Sequence, residues 1–293
     1  MIEWISSKRV APYVFIAPVI ILGLLFFAVP LSYSAYISLT DWDSLSTPQW
    51  VGLKNYSYLI TEDSFFFSSL VNTFYFAFGM MALSVPIALT IAYVISRSRY
   101  QEFWRALYWL PMITNTVAVA YIWKFILSDS SGLLNRTLDV FGLPGPNWLT
   151  SPSLSMFSVI VVAVWVSLGH NILLFAAGLN DIDESYYEAG KLDGAHPLQM
   201  FWHVTIPLLR PVILFVMITN FITALSSFAL MLVLTEGGPV RSTTVTGLYL
   251  YEMAFADLRL GRASAAAFVL FVLILLISLA QLRLFRRGGV VAY

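Results

Sequence analysis

Six stretches of the chain are mostly apolar and nearly free of ionised side chains, and polar segments separate them. They run approximately from Ala11 to Leu39, Ser69 to Ile95, Ala106 to Leu127, Leu154 to Gly178, Val212 to Leu234 and Ala263 to Leu284. A helix crossing the hydrocarbon of a bilayer needs about 20 such residues, because about 30 Å is covered at about 1.5 Å per residue. The pattern predicts an all-α integral membrane protein with about six transmembrane helices. The first apolar run follows Lys8 and Arg9 and is far longer than the about 7–15 apolar residues of a cleavable signal, so it predicts a retained anchor. Prolines inside spans, such as Pro86, are tolerated because neighbouring helices re-satisfy the freed backbone groups.

Basic residues set the orientation, since cytoplasmic loops are enriched in Lys and Arg. Lys8 and Arg9, then Arg97, Arg99 and Arg105, then Lys191 and Arg210, then Arg283, Arg286 and Arg287 fall on one side, which predicts that both termini are cytoplasmic. The opposite side carries Asp41, Asp43, Glu62, Asp63, Asp129 and Asp139, with Trp42, Trp50 and Trp148 where interfacial aromatics belong. Arg241, Arg259 and Arg262 also fall on that side, either as solvated loop charges or facing an external partner. No short repeat, low-complexity tract or Gly/Ser linker divides the chain, so residues 1–293 are expected to form one transmembrane domain.

Composition agrees with the pattern. Hydrophobic residues make up 59% and charged residues 11% of the 293 residues, whereas soluble domains are about 45–50% apolar and about 25% charged. Sixteen basic and sixteen acidic residues cancel, so bulk charge gives no reason to invoke nucleic acid. The chain has no cysteine, which rules out disulfides, thiolate metal sites and cysteine nucleophiles.

The spans also lack most of the groups that ion coupling or catalysis would need. Ion-coupled carriers place ionisable residues inside the membrane, and only Lys124 and His170 qualify here. Lys124 is expected to snorkel to the interface, and His170 to act as a helix-packing donor. His196 and His203 stand seven apart across Pro197, with no third ligand at metal spacing, so no metal site and no catalytic residue is expected. Gly190-Lys191 is followed by Leu192 and lacks the preceding glycine of a phosphate-binding loop. The chain is therefore not expected to bind ATP in that way, and an energy source must come from elsewhere.

The longest polar stretch on the expected cytoplasmic face lies at about residues 179–211. Asp183 is a good N-cap and Glu184 sits in the first turn, which predicts a short helix from Glu184 to Leu192. Gly194 and Pro197 end it, and Pro207 and Pro211 predict an elbow before the fifth span. Glu184 and Glu188 are four apart on one face, a like-charge pair that a basic partner would relieve.

Glu188-Ala189-Gly190, then Gly194, then Val204-Thr205-Ile206-Pro207 resembles the EAA loop of permeases from binding-protein-dependent ABC importers. The resemblance implies a type I ABC importer permease fold, in which this loop forms a coupling helix that docks in a groove of a cytoplasmic ATPase subunit. Glu188, Ala189, Gly190, Asp193, Gly194 and Pro207 take the motif positions, with Gly190 standing where the family usually has a third alanine. Thr235-Glu-Gly-Gly-Pro239, Thr243-Thr244, Tyr249-Leu-Tyr251, Ala254-Phe255 and Gly261-Arg-Ala-Ser-Ala-Ala266 look like the segment before the last helix in carbohydrate importers of the maltose and glycerol-phosphate type. Ala11-Pro-Tyr, Leu39-Thr-Asp-Trp42 and Val51-Gly-Leu-Lys-Asn-Tyr56 are similar too.

The resemblance implies a bacterial cytoplasmic membrane subunit with four kinds of partner. These are a second homologous permease, two ATPase subunits carrying ATP and Mg, an extracytoplasmic solute-binding protein, and membrane lipid. The chain itself is expected to hold no cofactor and to form half of an alternating-access path for an oligosaccharide, glycoside or glycerol-phosphate solute. A permease for a non-carbohydrate solute and an ion-coupled carrier are the alternatives. For the path, Thr219, Asn220, Thr223, Ser226 and Ser227 form a polar stripe on the fifth span, with Asn115 and Asn171 as further candidates. Such a stripe serves either a hydroxyl-bearing solute or helix packing. Trp123 and Trp165 either stack on a sugar ring or belong to an interfacial belt.

Overall fold

The computed structural model describes residues 11–287, with side chains through 283. Lys8 and Arg9, the side chains of Arg286 and Arg287, and the expected placement of the termini lie outside what is described. In chain order the helices are α1 (Ala11–Ser38), α2 (Lys54–Thr61), α3 (Ser64–Ser96), α4 (Gln101–Ile113), α5 (Thr116–Ile126), α6 (Leu133–Val140) and α7 (Ser155–Asn180). They continue with α8 (Glu184–Leu192), α9 (Pro197–Leu208), α10 (Arg210–Ser226), α11 (Ala229–Leu234), α12 (Thr246–Tyr251) and α13 (Leu260–Arg287). Between α1 and α2 a small hairpin pairs β1 (Thr40–Asp41) antiparallel with β2 (Gln49–Trp50), with Thr40 opposite Trp50 and Asp41 opposite Gln49. The chain divides into two compact units, Met1–Phe66 with Leu250–Phe271 and Phe67–Tyr249 with Val272–Tyr293.

In the first unit, α1 is an apolar helix long enough to cross a bilayer, and none of its most apolar stretch is buried by the rest of the chain. Phe15 is 81% exposed and Phe27 is 77% exposed. A run of aromatic and aliphatic surface of this length is incompatible with water and suits lipid or another apolar chain. At its end the buried Asn55 amide donates to the Ser38 and Thr40 carbonyls at 2.9 and 2.8 Å. Gly261 lies against the Thr40 carbonyl so closely that a β-carbon there would collide with it. The Arg262 guanidinium sits 3.7 Å from the centre of the Tyr58 ring. Motif segments about 200 residues apart in the chain thus meet, and Arg262 is held on an aromatic face rather than being a freely solvated loop charge.

The second unit is organised around α7, whose Val159, Val162, Ile172 and Phe175 are fully buried. Helices α4, α5, α10 and α11 pack against it. Lipid is as apolar as the side chains it would replace, so close fit rather than escape from water holds such helices together. Gly169 shows the fit, because a β-carbon on it would overlap the Tyr108 carbonyl of α4. Gly178 plays the same part lower on α7, where its β-carbon would lie 2.6 Å from Val212 Cγ2.

Among the described residues four helices are long and apolar enough to cross a membrane unaided: α1, α3, α7 and α13. The third expected span, Ala106 to Leu127, is instead broken between α4 and α5, where Thr114 is extended and Asn115 caps α5 by accepting from the Val117 N–H at 2.8 Å. The fifth, Val212 to Leu234, breaks at Ser227 and Phe228. There Gly247 approaches so closely that a β-carbon would stand 3.2 Å from Phe228 Cβ. Both breaks fall at polar residues, Thr114-Asn115-Thr116 and Ser226-Ser227, too few to interrupt hydropathy averaged over a whole span. The expected elbow is present, with α9 and α10 meeting at 68°.

Candidate functional site

The loop between α7 and α10 is built from local signals. Asp183 caps α8 by accepting from the Ser185 N–H at 2.8 Å. That hydrogen bond, with a further one from the Ser185 side chain, holds the Asp183 carboxyl below the usual carboxylate range. Gly194 ends the helix with a φ of +73°, a left-handed conformation that a β-carbon would strain. His196 then caps α9 in a reciprocal box with Gln199, the His196 N–H donating to Gln199 Oε1 at 2.8 Å.

One face of α8 rests on α9. The Tyr187 hydroxyl is 3.0 Å from that of buried Thr205, and Gly190 faces Met200, whose Cγ and Sδ would lie 3.4 Å from an added β-carbon. On the other face Glu188, Ala189 and Leu192 are exposed, Leu192 by 88%. Lys191 approaches Glu184 at 3.6 Å, so the basic group that relieves the paired glutamates comes from the same helix. Asp193 and Gly194 are exposed in the turn after α8, and Pro207 is half-buried just before the bend.

Sequence reasoning missed the support beneath this loop. Tyr93, near the end of α3, meets Phe201 of α9 edge to face at 4.7 Å, and Arg97 lies 4.2 Å from the Tyr93 ring centre. Tyr93, Arg97, Glu184, Tyr187, Lys191 and Met200 line one open groove of about 1140 Å³. Aromatic positions on an otherwise apolar helix were the available signal, and they are indistinguishable from lipid-facing ones by type.

A second cavity, of about 300 Å³, lies among α3, α4, α5, α7 and α10. Thr219, Asn220, Thr223 and Ser227 line it together with Thr116, Ser167 and His170, while Phe76, Met80 and Met112 supply apolar wall. Ser226 is exposed and lies off this lining. The other two asparagines serve structural ends. Asn171 is fully buried and exchanges hydrogen bonds with Asn220 at 3.0 and 3.3 Å, and Asn115 is the cap of α5. His170, expected as a packing donor, is exposed on the cavity lining. Trp123 and Trp165 pack edge to face at 5.7 Å, away from that lining. Lys124, expected to snorkel, pairs with Glu236 at 3.2 Å.

Comparison with known proteins places this geometry. Residues 84–288 match the family described as "Binding-protein-dependent transport system inner membrane component". The chain is 34% identical over 280 residues to "Probable ABC transporter permease protein YesP" of Bacillus subtilis, covering 94% of this chain and 90% of that one. It is 30% identical over 282 residues to "Arabinooligosaccharides transport system permease protein AraP" of the same organism, covering 95% and 89%. It is also 30% identical over 285 residues to "sn-glycerol-3-phosphate transport system permease protein UgpA" of Salmonella choleraesuis, covering 95% of each. Among solved structures, a chain of the "bacterial ABC transporter involved in the import of the acidic polysaccharide alginate" superposes with a TM-score of 0.83 at 24% identity, covering 98% of this chain and 99% of that one, a likeness of fold. With a helical membrane fold, a capped helix seated before a bent span, and a family match over most of its length, the chain belongs to the binding-protein-dependent transport system inner membrane components, the permeases of ABC importers.

Proposed function

We propose that this chain is the membrane-spanning permease subunit of an ATP-driven importer for a sugar or sugar-like solute, sits in the bacterial cytoplasmic membrane, and supplies half of the translocation path. The observation that carries the reading is the two-sidedness of α8. Its inner face is bonded to α9 through Tyr187 and Thr205, while Glu188, Ala189 and Leu192 stand free on the outer face. An apolar side chain as exposed as Leu192, on the face that also carries Glu188 and Ala189, suits the groove of a partner subunit.

The mechanism follows from connectivity. Two cytoplasmic ATPase subunits bind ATP and Mg and close, and one of them carries α8 with it. Because α8 is joined to α9, and α9 meets α10 at 68°, displacement of α8 turns α10 about the Pro207 to Pro211 elbow. Helix α10 presents Thr219, Asn220 and Thr223 to the cavity, so its rotation changes which membrane face the path addresses. Only a difference in interaction energy between the two states can drive the shift, and ATP held between closed ATPase subunits supplies it. A second, homologous permease completes the path, and an extracytoplasmic solute-binding protein delivers the solute. The sugar class rests on the relatives, whose names include arabinooligosaccharides and sn-glycerol-3-phosphate.

Reconstitution tests this reading. Proteoliposomes holding both permeases, the ATPase and the binding protein are expected to accumulate sugar only with ATP inside, and Leu192→Cys is expected to crosslink to the ATPase subunit. Uptake that follows an ion gradient and survives without ATP would assign the chain to an ion-coupled carrier instead.

A further inference from the structure

The hydrogen-bonding sense of the cavity narrows the solute. A serine or threonine hydroxyl has one proton to donate and two lone pairs to accept with. On the cavity lining, Thr219 donates its proton to the Phe215 and Val216 carbonyls at 2.9 and 3.1 Å, and Ser167 donates to the Val164 carbonyl at 2.9 Å. Asn220 spends its amide N–H groups on Asn171 Oδ1 and the Val216 carbonyl, at 3.0 and 2.9 Å. Its orientation is set by that carbonyl, which only an N–H can face. The Thr219 and Ser167 hydroxyls therefore turn their protons into the protein and leave lone pairs toward the cavity, while Asn220 is closed on Asn171, whose amide donates back to Asn220 Oδ1 at 3.3 Å.

The rest of the lining does not reverse this. Thr116, Thr223, Ser227 and His170 make no side-chain hydrogen bond to another described residue, so they donate or accept as a solute requires. Among the described lining residues there is no Lys, Arg, Asp or Glu. A phosphate or carboxylate oxygen offers only acceptors and carries charge, so it needs fixed donors or a counter-charge once it leaves water. Sugar hydroxyls bring their own protons. Phe76, Met80 and Met112 provide the apolar wall against which the C–H face of a sugar ring packs.

Resting on the reading of this cavity as part of the path, we propose that it is an acceptor-lined seat for an uncharged polyhydroxy solute, a neutral sugar or glycoside, and that it disfavours phosphorylated and carboxylated ones. The relatives named for glycerol phosphate and the fold neighbour named for an acidic polysaccharide do not transfer their charge preference to this chain.

The absence of cysteine from the chain makes the test direct. Thr223→Cys and, separately, Ser227→Cys place a thiol on the lining, and Val240→Cys, at a position 91% exposed, places one outside it. Each is assembled into the complete importer with cysteine-free partners and labelled with neutral hydroxyethyl methanethiosulfonate or with its anionic sulfonatoethyl counterpart, in the resting and ATP-bound states. Dividing the neutral-to-anionic rate ratio at a lining thiol by that at Val240→Cys cancels reagent chemistry. The quotient is expected to reach tenfold or more at both lining positions. A quotient near one, or inverted, overturns the neutral-solute inference and leaves the path intact. Labelling at Val240→Cys with neither reagent reaching either lining thiol in any state overturns the path reading and the inference with it.

Discussion

The Tyr187 hydroxyl lies 3.0 Å from the hydroxyl of Thr205, joining α8 to a residue with no solvent exposure on α9. Replacing Tyr187 by Phe leaves a buried hydroxyl without this partner, at a cost of about 1–3 kcal/mol. Hydrogen exchange of the Glu184–Leu192 segment is expected to accelerate about 5- to 150-fold, with little change in α7. Unchanged protection of α8 would show that the bond does not seat the helix.

Gly190→Ala is expected to strengthen α8. The added β-carbon meets Met200 at 3.4 Å, an ordinary van der Waals distance, and alanine gains about 1 kcal/mol over glycine in a helix interior. Slower hydrogen exchange across α8 checks this. Gly190→Leu is expected to act in the opposite direction, since the larger side chain must displace Met200 from between the helices.

The amide pair of Asn171 and Asn220 predicts a non-additive result. Asn220→Leu alone strands the fully buried Asn171 amide and is expected to cost about 1–3 kcal/mol. Asn171→Leu with Asn220→Leu removes both partners and is expected to cost less than the sum of the singles. Thermal unfolding of the four variants in one detergent gives the cycle. Thr223, exposed on the cavity and unpaired, is the better position for separating transport from folding, and Thr223→Val is expected to change stability by less than about 0.5 kcal/mol.

Gly169→Ala is expected to destabilise the packing of α4 on α7 by about 1–3 kcal/mol, because the β-carbon collides with backbone that cannot rotate aside. Gly23→Ala is the matched control, since nothing lies within 4 Å of a β-carbon there. A lower unfolding midpoint for the first and an unchanged or higher one for the second is the expected pair of results.

Asp183 predicts a pH dependence confined to the acid side. Its folded-state pKa is lowered by hydrogen bonds from Ser185, so the unfolded form binds a proton first as pH falls. The cap's contribution is fully present above the ordinary carboxylate value of about 3.9 and is lost as pH falls through the lower folded value. Helical protection of residues 184–192 is expected to decay there, and Asp183→Asn, which keeps an acceptor but does not titrate, is expected to flatten the decay.

Helix α8 was legible because every signal for it is local. The Asp183 cap, the Gly194 turn and the prolines at 207 and 211 act within a few residues of themselves, and the structure has the helix at Glu184–Leu192 and the bend after Leu208. The partners of Lys124 and Arg262 were not legible. Glu236 is 112 residues from Lys124, and Tyr58 lies on the far side of the chain from Arg262 in sequence, so nothing near either residue announces its partner.

By itself the sequence determined the solvent this chain folds in, the rough extent of its apolar segments, and the short capped helix and bend between α7 and α10. Hydropathy and helix-end chemistry are sums over neighbouring residues and survive without a fold. Tertiary packing decided that Gly247 closes against the break at Ser227 and Phe228, that Asn171 and Asn220 satisfy one another, and that the Thr219 and Ser167 hydroxyls line a cavity with their protons turned away from it. In a membrane these choices follow from which polar group finds which partner once water is gone, and a partner from a distant segment exists only after the helices have come together.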